Sequence, residues 1–211
     1  DDLAIEKPPG LEWSAEEFVA METAPSANGY IMSGEAQSMP LRVSAHVRPT
    51  SGALAFDATV FSTEDKPTTH LLEMTWTLPA DISGWTWWDD ISTSRVLSNP
   101  VEKNILRIGD HDVSHYPYQT ITTNNAALML AVPMDEPVMQ RFEASADFGL
   151  RSVWEVGLSP STGKQGPSTA RFSFLATTHD PKWGFRAATK EYYAIFPGFF
   201  RKRDVNEGAW E

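Results

Sequence analysis

The feature that most constrains the fold is a strict alternation of apolar and polar residues in three separate segments. Apolar side chains occupy every second position in 41–47, 54–60 and 72–78. Successive side chains of a strand point to opposite faces, so this period gives each segment one buried face and one face in water. Pro49 and the turn at 50–52 separate the first two segments. The pattern predicts an antiparallel sheet with one solvated face.

A different pattern, continuously apolar, occupies residues 126–132, between Asn and Pro. It predicts a central strand that is buried on both faces. Further segments predict about five more strands, near 105–108, 113–123, 139–146, 150–158 and 170–177. About nine or ten strands that do not alternate with helices favour an all-β fold over a parallel α/β sheet. We therefore predict an antiparallel two-sheet β-sandwich of jelly-roll or supersandwich-like type.

Two helices are expected, one at each end of the chain. Ser14 and Glu17 have the spacing of a capping box, which predicts a short helix over Ala15–Met21. In the stretch Asp180–Trp210, Asp180 suits a helix N-cap and Pro181 the first helical position. An apolar face at helical spacing follows, and Pro197 and Gly198 end it; the face comprises Phe185, Ala188, Tyr192 and Phe196. This aromatic face needs a sheet or a neighbouring domain to cover it.

The 211 residues fit one module, because no long polar linker divides them. Its predicted parts are a lead-in with the short helix over 1–29, the sandwich over 30–178, the C-terminal helix over 180–200, and the start of a linker to a downstream domain over 201–211. The formal net charge of −11 makes nucleic acid and anionic membranes poor partners. The chain has no cysteine and no apolar run long enough to predict a membrane span.

The motif WTWWDD, at residues 85–90, is the main candidate for binding. In an extended chain, Trp85 and Trp87 share one face while Trp88 and Asp90 share the other, so we expect at least one Trp to be exposed or to lie on a loop. Indole faces stack on sugar rings, and carboxylates accept hydrogen bonds from sugar hydroxyls. Alternatively, the three Trp seal the two layers and the aspartates form a turn. The candidate ligand-binding residues are Trp85, Trp87, Trp88, Asp89, Asp90, Arg95, His115, Tyr116 and Tyr118.

Other chemistry has weaker support in the sequence. Asp110 and Asp112 could contribute to a structural calcium site, but the loop lacks a regular ligand series and turn aspartates are commoner. No other cofactor is expected. Asp89 and Asp90 are adjacent and would point to opposite faces of a strand, so they do not form a catalytic pair. Glu73 and Glu155 are expected on the outward side of their strands. We therefore expect no catalytic residues in this chain.

Five segments occur in order that together resemble a known domain: WTWWDD, SRVL with Arg95, SHYPYQTI, ALMLAVPMDEP, and WGFRAATKEYYAIFPGFFRKR followed by GAW. They resemble the N-terminal β-sandwich, of galactose-mutarotase-like or supersandwich type, that precedes the catalytic barrel in large bacterial glycoside hydrolases. The resemblance covers roughly Gly84 to the C-terminus, and its closing block is the most specific part. Residues 1–80 match only in being rich in strands.

This resemblance implies a non-catalytic ancillary module of a multidomain secreted, cell-surface or periplasmic bacterial enzyme, with the catalytic domain downstream. The residues and the resemblance together suggest three alternative functions for this chain. The first is binding of a polysaccharide or oligosaccharide by Trp stacking with Asp and Arg contacts. The second is a structural docking domain, which predicts exposed Tyr193, Phe199 and Phe200. The third is a small polysaccharide hydrolase or lyase on a jelly-roll scaffold.

Overall fold

The computed structural model describes residues 18–37, 39–64, 69–109, 111–136, 138–158 and 168–200, with the backbone alone at 18–21. In this part of the chain there are fourteen strands, more than the nine or ten expected: β1 Phe18–Ser26, β2 Gly29–Ala36, β3 Leu41–Thr50, β4 Ala53–Ser62, β5 His70–Leu78, β6 Thr86–Trp88, β7 Ser94–Val96, β8 Ile105–Ile108, β9 His111–Ser114, β10 Tyr118–Thr122, β11 Ala127–Ala131, β12 Gln140–Ser145, β13 Gly149–Leu158 and β14 Thr169–Thr178. All their pairings are antiparallel. The predicted all-β antiparallel class is confirmed.

The strands form one large sheet, one small sheet and a hairpin. The large sheet has the order β1-β2-β3-β4-β14-β11-β10-β6-β7, the small sheet has the order β12-β13-β5, and β8 pairs with β9. Two clusters of buried side chains fill the space between the sheets. Trp87, Phe142 and Leu150 belong to one, while Trp154 and Phe174 belong to the other. This core makes the molecule a β-sandwich.

Helix α1, Phe185–Ile195, covers the opposite face of the large sheet. Phe185 and Tyr192 pack with Met129 and Leu175 in a third buried cluster. The Tyr192 hydroxyl donates a hydrogen bond of 3.0 Å to the carbonyl of Val132. The centre of the large sheet is thus covered on both faces, which explains why the predicted central strand, β11, is continuously apolar.

The predicted helix Ala15–Met21 is wrong for the residues that the structure describes. Phe18–Ser26 is strand β1, in which Phe18 lies opposite Ala36 and Val19 opposite Glu35. Residues 15–17 lie outside the described ranges. A capping box is a signal from two residues, whereas β1 and β2 form a hairpin, joined by the turn at 27–28, whose ladder satisfies the backbone of this segment. Pairing within the hairpin therefore overrides the helix signal.

The predicted C-terminal helix is shorter and is interrupted once. Asp180 accepts a hydrogen bond of 2.9 Å from the Lys182 backbone and caps a 3-10 helix, Pro181–Trp183. Gly184 follows with a φ of 48°, and only then does α1 begin. A Cβ on Gly184 would lie 2.7 Å from the Trp88 ring, so the indole occupies the space of the missing side chain. The helix ends at Ile195, and the predicted linker over 201–211 lies outside the described residues.

Candidate functional site

The WTWWDD motif forms strand β6 and the residues on either side of it. β6 pairs with β10 on one side and with β7 on the other. Trp85 and Trp87 contribute to the core between the sheets, while Trp88 contributes to the cluster under α1. The alternation of these side chains is as predicted, because the motif is extended.

None of the three tryptophans is exposed, although Trp85 lies on the loop before β6. Trp87 is fully buried, and its Nε1 donates a hydrogen bond of 2.8 Å to Gln119 Oε1. Trp88 is half-buried, and its Nε1 donates to Thr122 Oγ1 over 2.9 Å. Helix α1 explains why none of them is exposed, because it covers the second face of the large sheet. Side chains that alternate between two covered faces are shielded from solvent on both sides. Trp87 therefore cannot stack on a sugar in this conformation, and stacking by Trp85 or Trp88 stays a prediction.

Asp89 and Arg95, both candidate ligand contacts, meet in a charge cluster in which Asp89 is buried and Arg95 is half-buried. Arg95 Nη1 lies 3.5 Å from Asp89 Oδ1, and its Nε lies 3.3 Å from Glu102 Oε2. The guanidinium carbon lies 5.1 Å from the centre of the Trp87 ring. Asp89 is only 6% exposed, and neither carboxylate oxygen has a hydrogen-bond partner among the described residues. Burial raises the pKa of Asp89 to about 6, against the opposing charge of Arg95.

Asp90 has a different role from that of its neighbour. Its Oδ1 accepts hydrogen bonds of 2.6 Å from both the backbone N–H and the hydroxyl of Ser92. These bonds lower the pKa of Asp90 below its ordinary value. This geometry is an Asx turn, which matches the alternative that an aspartate of the motif forms the turn after the strand.

The remaining candidate residues lie along the start of β10. His115 is exposed, and its ring centre lies 6.5 Å from that of Tyr116. Tyr116 and Tyr118 instead pack against Phe185, with ring centres 5.0 and 4.9 Å apart. The Tyr118 hydroxyl hydrogen-bonds Thr189 Oγ1 over 2.8 Å, and burial raises the pKa of Tyr118 to about 12. The two tyrosines therefore join the sheet to α1 and are not assembled with Asp89 into one pocket.

The calcium prediction can be located only in part. Asp110 lies outside the described residues. Asp112 is half-buried, with its Oδ2 3.8 Å from Lys103 Nζ. Across the described ranges, no group of three or more His, Asp or Glu side chains is arranged to hold a metal ion. Calcium binding by Asp110 and Asp112 stays a prediction.

The outward carboxylates of the small sheet form an ion-pair network. Glu73 and Glu155 are directly opposite on β5 and β13. Arg141 Nη2 lies 3.3 Å from Glu73, and His111 hydrogen-bonds Glu155. The depression beside His111 and Glu155 has no space for a water molecule. The charge of Arg141 thus offsets part of the repulsion that like charges opposite each other would cause, and His111 hydrogen-bonds the second acid.

An open groove with a free volume of about 610 Å³ lies beside the first residues of β6, and sequence reasoning missed it. Its lining residues are Gly84, Thr86, Thr122, Thr123, Asn124, Pro181 and Lys182, which we call the threonine groove. Trp183, which follows Lys182, is 58% exposed. The run of Thr and Asn at 122–125 was a visible polar signal, but it did not indicate which segments would lie opposite.

The end of α1 carries a second exposed feature. Tyr193, Phe199 and Phe200 are all exposed, as the docking hypothesis predicts, and we call them the C-terminal aromatic patch. The rings of Tyr193 and Phe200 are stacked with their centres 3.8 Å apart. Within the described residues, no helix is long and apolar enough to cross a membrane.

Comparison with known proteins gives similarity in fold alone. No protein family model matches this chain, and no curated protein matches it. It is similar to the crystal structure of the Slr1438 protein from Synechocystis sp. PCC 6803, with a TM-score of 0.40 and 7% identity over 77% of this chain and 65% of that one. It is also similar to the 4-alpha-glucanotransferase from Thermococcus litoralis, with a TM-score of 0.35 and 12% identity over 74% of this chain. The chain thus spans less than two thirds of the first structure and 22% of the second.

Proposed function

We propose that this chain is a non-catalytic β-sandwich module that docks, through its C-terminal aromatic patch, on another folded domain of a larger carbohydrate-active polypeptide. The observation that carries the proposal is the clustering of three exposed aromatic rings at the end of α1. Contiguous exposed apolar surface of this kind marks interaction sites. Tyr and Phe are enriched at the cores of interfaces, where charged residues are depleted.

The local sequence supports an interface in the same way. Residues 192–200 contain no charged side chain, in a chain of which 21% is charged. The opposite face of α1 is fixed on the sheet by Phe185, Ala188 and Tyr192, all of which are buried. Tyr193 therefore lies on an anchored helix, and Phe200, which follows the helix, is stacked on Tyr193, so binding would cost little additional ordering at these two rings.

The roles of the WTWWDD residues also favour the docking function over sugar binding at that motif. Trp87 is sealed between the sheets, and Trp88 is held under Gly184 by its bond to Thr122. Both side chains thus stabilise the sandwich. The occupant that we propose for the patch is the catalytic domain implied by the resemblance of the closing block to ancillary domains of glycoside hydrolases.

Hydrogen exchange provides the direct test. Amides of 193–200 are expected to exchange more slowly in the full polypeptide that the gene encodes than in the 211-residue chain, because a docked domain would exclude water there. Equal exchange in the two proteins, or a gene without a further folded domain, would contradict the proposal.

A matched pair of variants gives a second measurement by sedimentation velocity. The exposed patch should make the 211-residue chain associate with itself as its concentration rises. Replacing Tyr193, Phe199 and Phe200 by Ser should abolish this association. The control replaces three exposed aliphatic residues of other strands by Ser, namely Val96, Leu106 and Ile108. Association that is lost equally in both variants would show that the patch has no special role.

A further inference from the structure

Three segments that are distant in sequence form the walls of the threonine groove. β6 and β10 are paired so that Thr86 lies opposite Thr122. The turn after β10 is held by Thr123 Oγ1, which accepts hydrogen bonds of 3.2 and 3.1 Å from the backbones of Asn125 and Ala126. The third wall is the 3-10 helix with its Asp180 cap. The walls are thus fixed by backbone pairing and turn bonds before any ligand arrives, as in most small-molecule sites.

Several polar groups in the groove are available to a ligand. None of the side-chain hydrogen bonds among the described residues uses the Thr86 hydroxyl, the Asn124 amide or Lys182 Nζ, although all three residues line the groove. Hydroxyl and amide groups both donate and accept, whereas the ammonium group only donates. A matching ligand must therefore offer many donors and acceptors over a short distance. Sugar hydroxyls have this property.

An exposed indole follows the last lining residue of the groove in the chain. Lys182 Nζ lies over the Trp183 ring, 5.4 Å from its centre. Trp183 contributes to none of the three buried clusters. A large exposed indole beside hydroxyl and amide groups combines an apolar stacking face with directional polar contacts. Sugar rings, which have an apolar C–H face and a rim of hydroxyls, require this combination.

We propose that the threonine groove and Trp183 form a binding site for a neutral oligosaccharide. The free volume of about 610 Å³ falls within the usual range for ligand sites. The negative charge of the protein favours uncharged glycans over anionic ones. A formal net charge of −11 repels sulfated and uronic glycans at long range, and Lys182 is the only cationic residue among those lining the groove.

Isothermal titration calorimetry of the 211-residue chain tests the site. The probes are hexasaccharides of glucose, xylose, mannose and galactose, with oligogalacturonate as the anionic comparison. Trp183→Ala should weaken binding of the recognised neutral glycan on the order of tenfold, and Asn124→Ala about fivefold. Tyr30→Ala is the matched control, because Tyr30 is also 58% exposed but lies on β2, outside the groove and the C-terminal aromatic patch.

Each outcome of this experiment decides the proposal. A neutral glycan whose binding is weakened by the Trp183 and Asn124 variants and unchanged in the Tyr30 variant supports it. The proposal is overturned if no neutral probe binds at millimolar concentration. It is also overturned if a neutral glycan binds the Trp183→Ala variant as tightly as the wild-type protein. Tighter binding of oligogalacturonate than of every neutral probe would contradict the proposal that the site takes neutral glycans. The docking function is independent of all these results, since its variants lie at the other end of α1.

Discussion

The buried carboxyl of Asp89 allows a stability measurement whose sign follows from the structure. Asp89 is 6% exposed, and its two oxygens have no hydrogen-bond partner among the described residues, although Arg95 lies 3.5 Å away. Burial therefore outweighs the attraction of Arg95 and raises the pKa from 3.8 to about 6. We expect Asp89→Asn to remove this pH dependence, because Asn keeps the shape of the protonated acid without its charge.

The magnitude follows from proton linkage. A shift of about two pH units corresponds to about 3 kcal/mol, at about 1.4 kcal/mol per unit. Because the folded state holds the proton more tightly than the unfolded state, this stability is fully present below pH 3.8. It is lost as the pH rises to about 6, where the folded protein also releases the proton. Between pH 4 and pH 7 the wild-type protein should thus lose up to about 3 kcal/mol relative to the variant.

Urea unfolding followed by tryptophan fluorescence at pH 4, 5, 6 and 7 measures the difference directly. The control is Asp90→Asn: hydrogen bonds from Ser92 lower the pKa of Asp90 below 3.8, so its contribution is lost only in more strongly acidic solution, and between pH 4 and pH 7 this variant should have a profile parallel to that of the wild-type protein. Parallel pH profiles for the wild-type protein and the Asp89 variant would refute the reasoning, since they would mean that burial does not control this carboxyl.

Two further substitutions test the packing of α1 on the sheet. Gly184→Ala should reduce the unfolding free energy by about 2 kcal/mol, because φ is positive and a Cβ would lie 2.7 Å from the Trp88 ring. The control Gly198→Ala should have little effect, because the space around Gly198 is open. Equal losses of unfolding free energy in the two variants would contradict the packing argument. Tyr192→Phe should cost about 1 kcal/mol by removing the hydrogen bond to the Val132 carbonyl, and an unchanged urea midpoint would show that this buried bond contributes nothing.

The sequence predicted those parts of the fold that local periodicity determines. Alternation over 41–47, 54–60 and 72–78 located β3, β4 and β5, and the continuous apolar run located β11. The faces of Trp85, Trp87 and Trp88 were also correct, because a pleat fixes them whatever lies beyond the strand. The pattern could not show which elements would cover the two faces of β6. Because it did not place α1 on the large sheet, it predicted that at least one of these indoles would be exposed or lie on a loop.

The two misses have separate causes: hairpin pairing outweighed a local helix signal at the N-terminal end, and the groove is made of segments distant in sequence. The helix expected over Ala15–Met21 rested on two residues three apart, whereas β1 depends on a partner strand that begins at Gly29. The threonine groove requires 84–86, 122–124 and 181–182 to converge, and nothing within any one of these segments indicates the other two. Local signals thus gave the type of most elements, while the site depends on contacts between segments separated by tens of residues.

The position of β14 in the large sheet determines when that sheet can be completed during synthesis. This strand, Thr169–Thr178, lies between β4 and β11 and is the last strand in the described chain order. Until it leaves the ribosome, the first four strands and the group β11-β10-β6-β7 have no ladder joining them. Completion of the large sheet must therefore wait until Thr178 has left the ribosome, and nascent chains that stop before residue 169 expose two unpaired strand edges to aggregation.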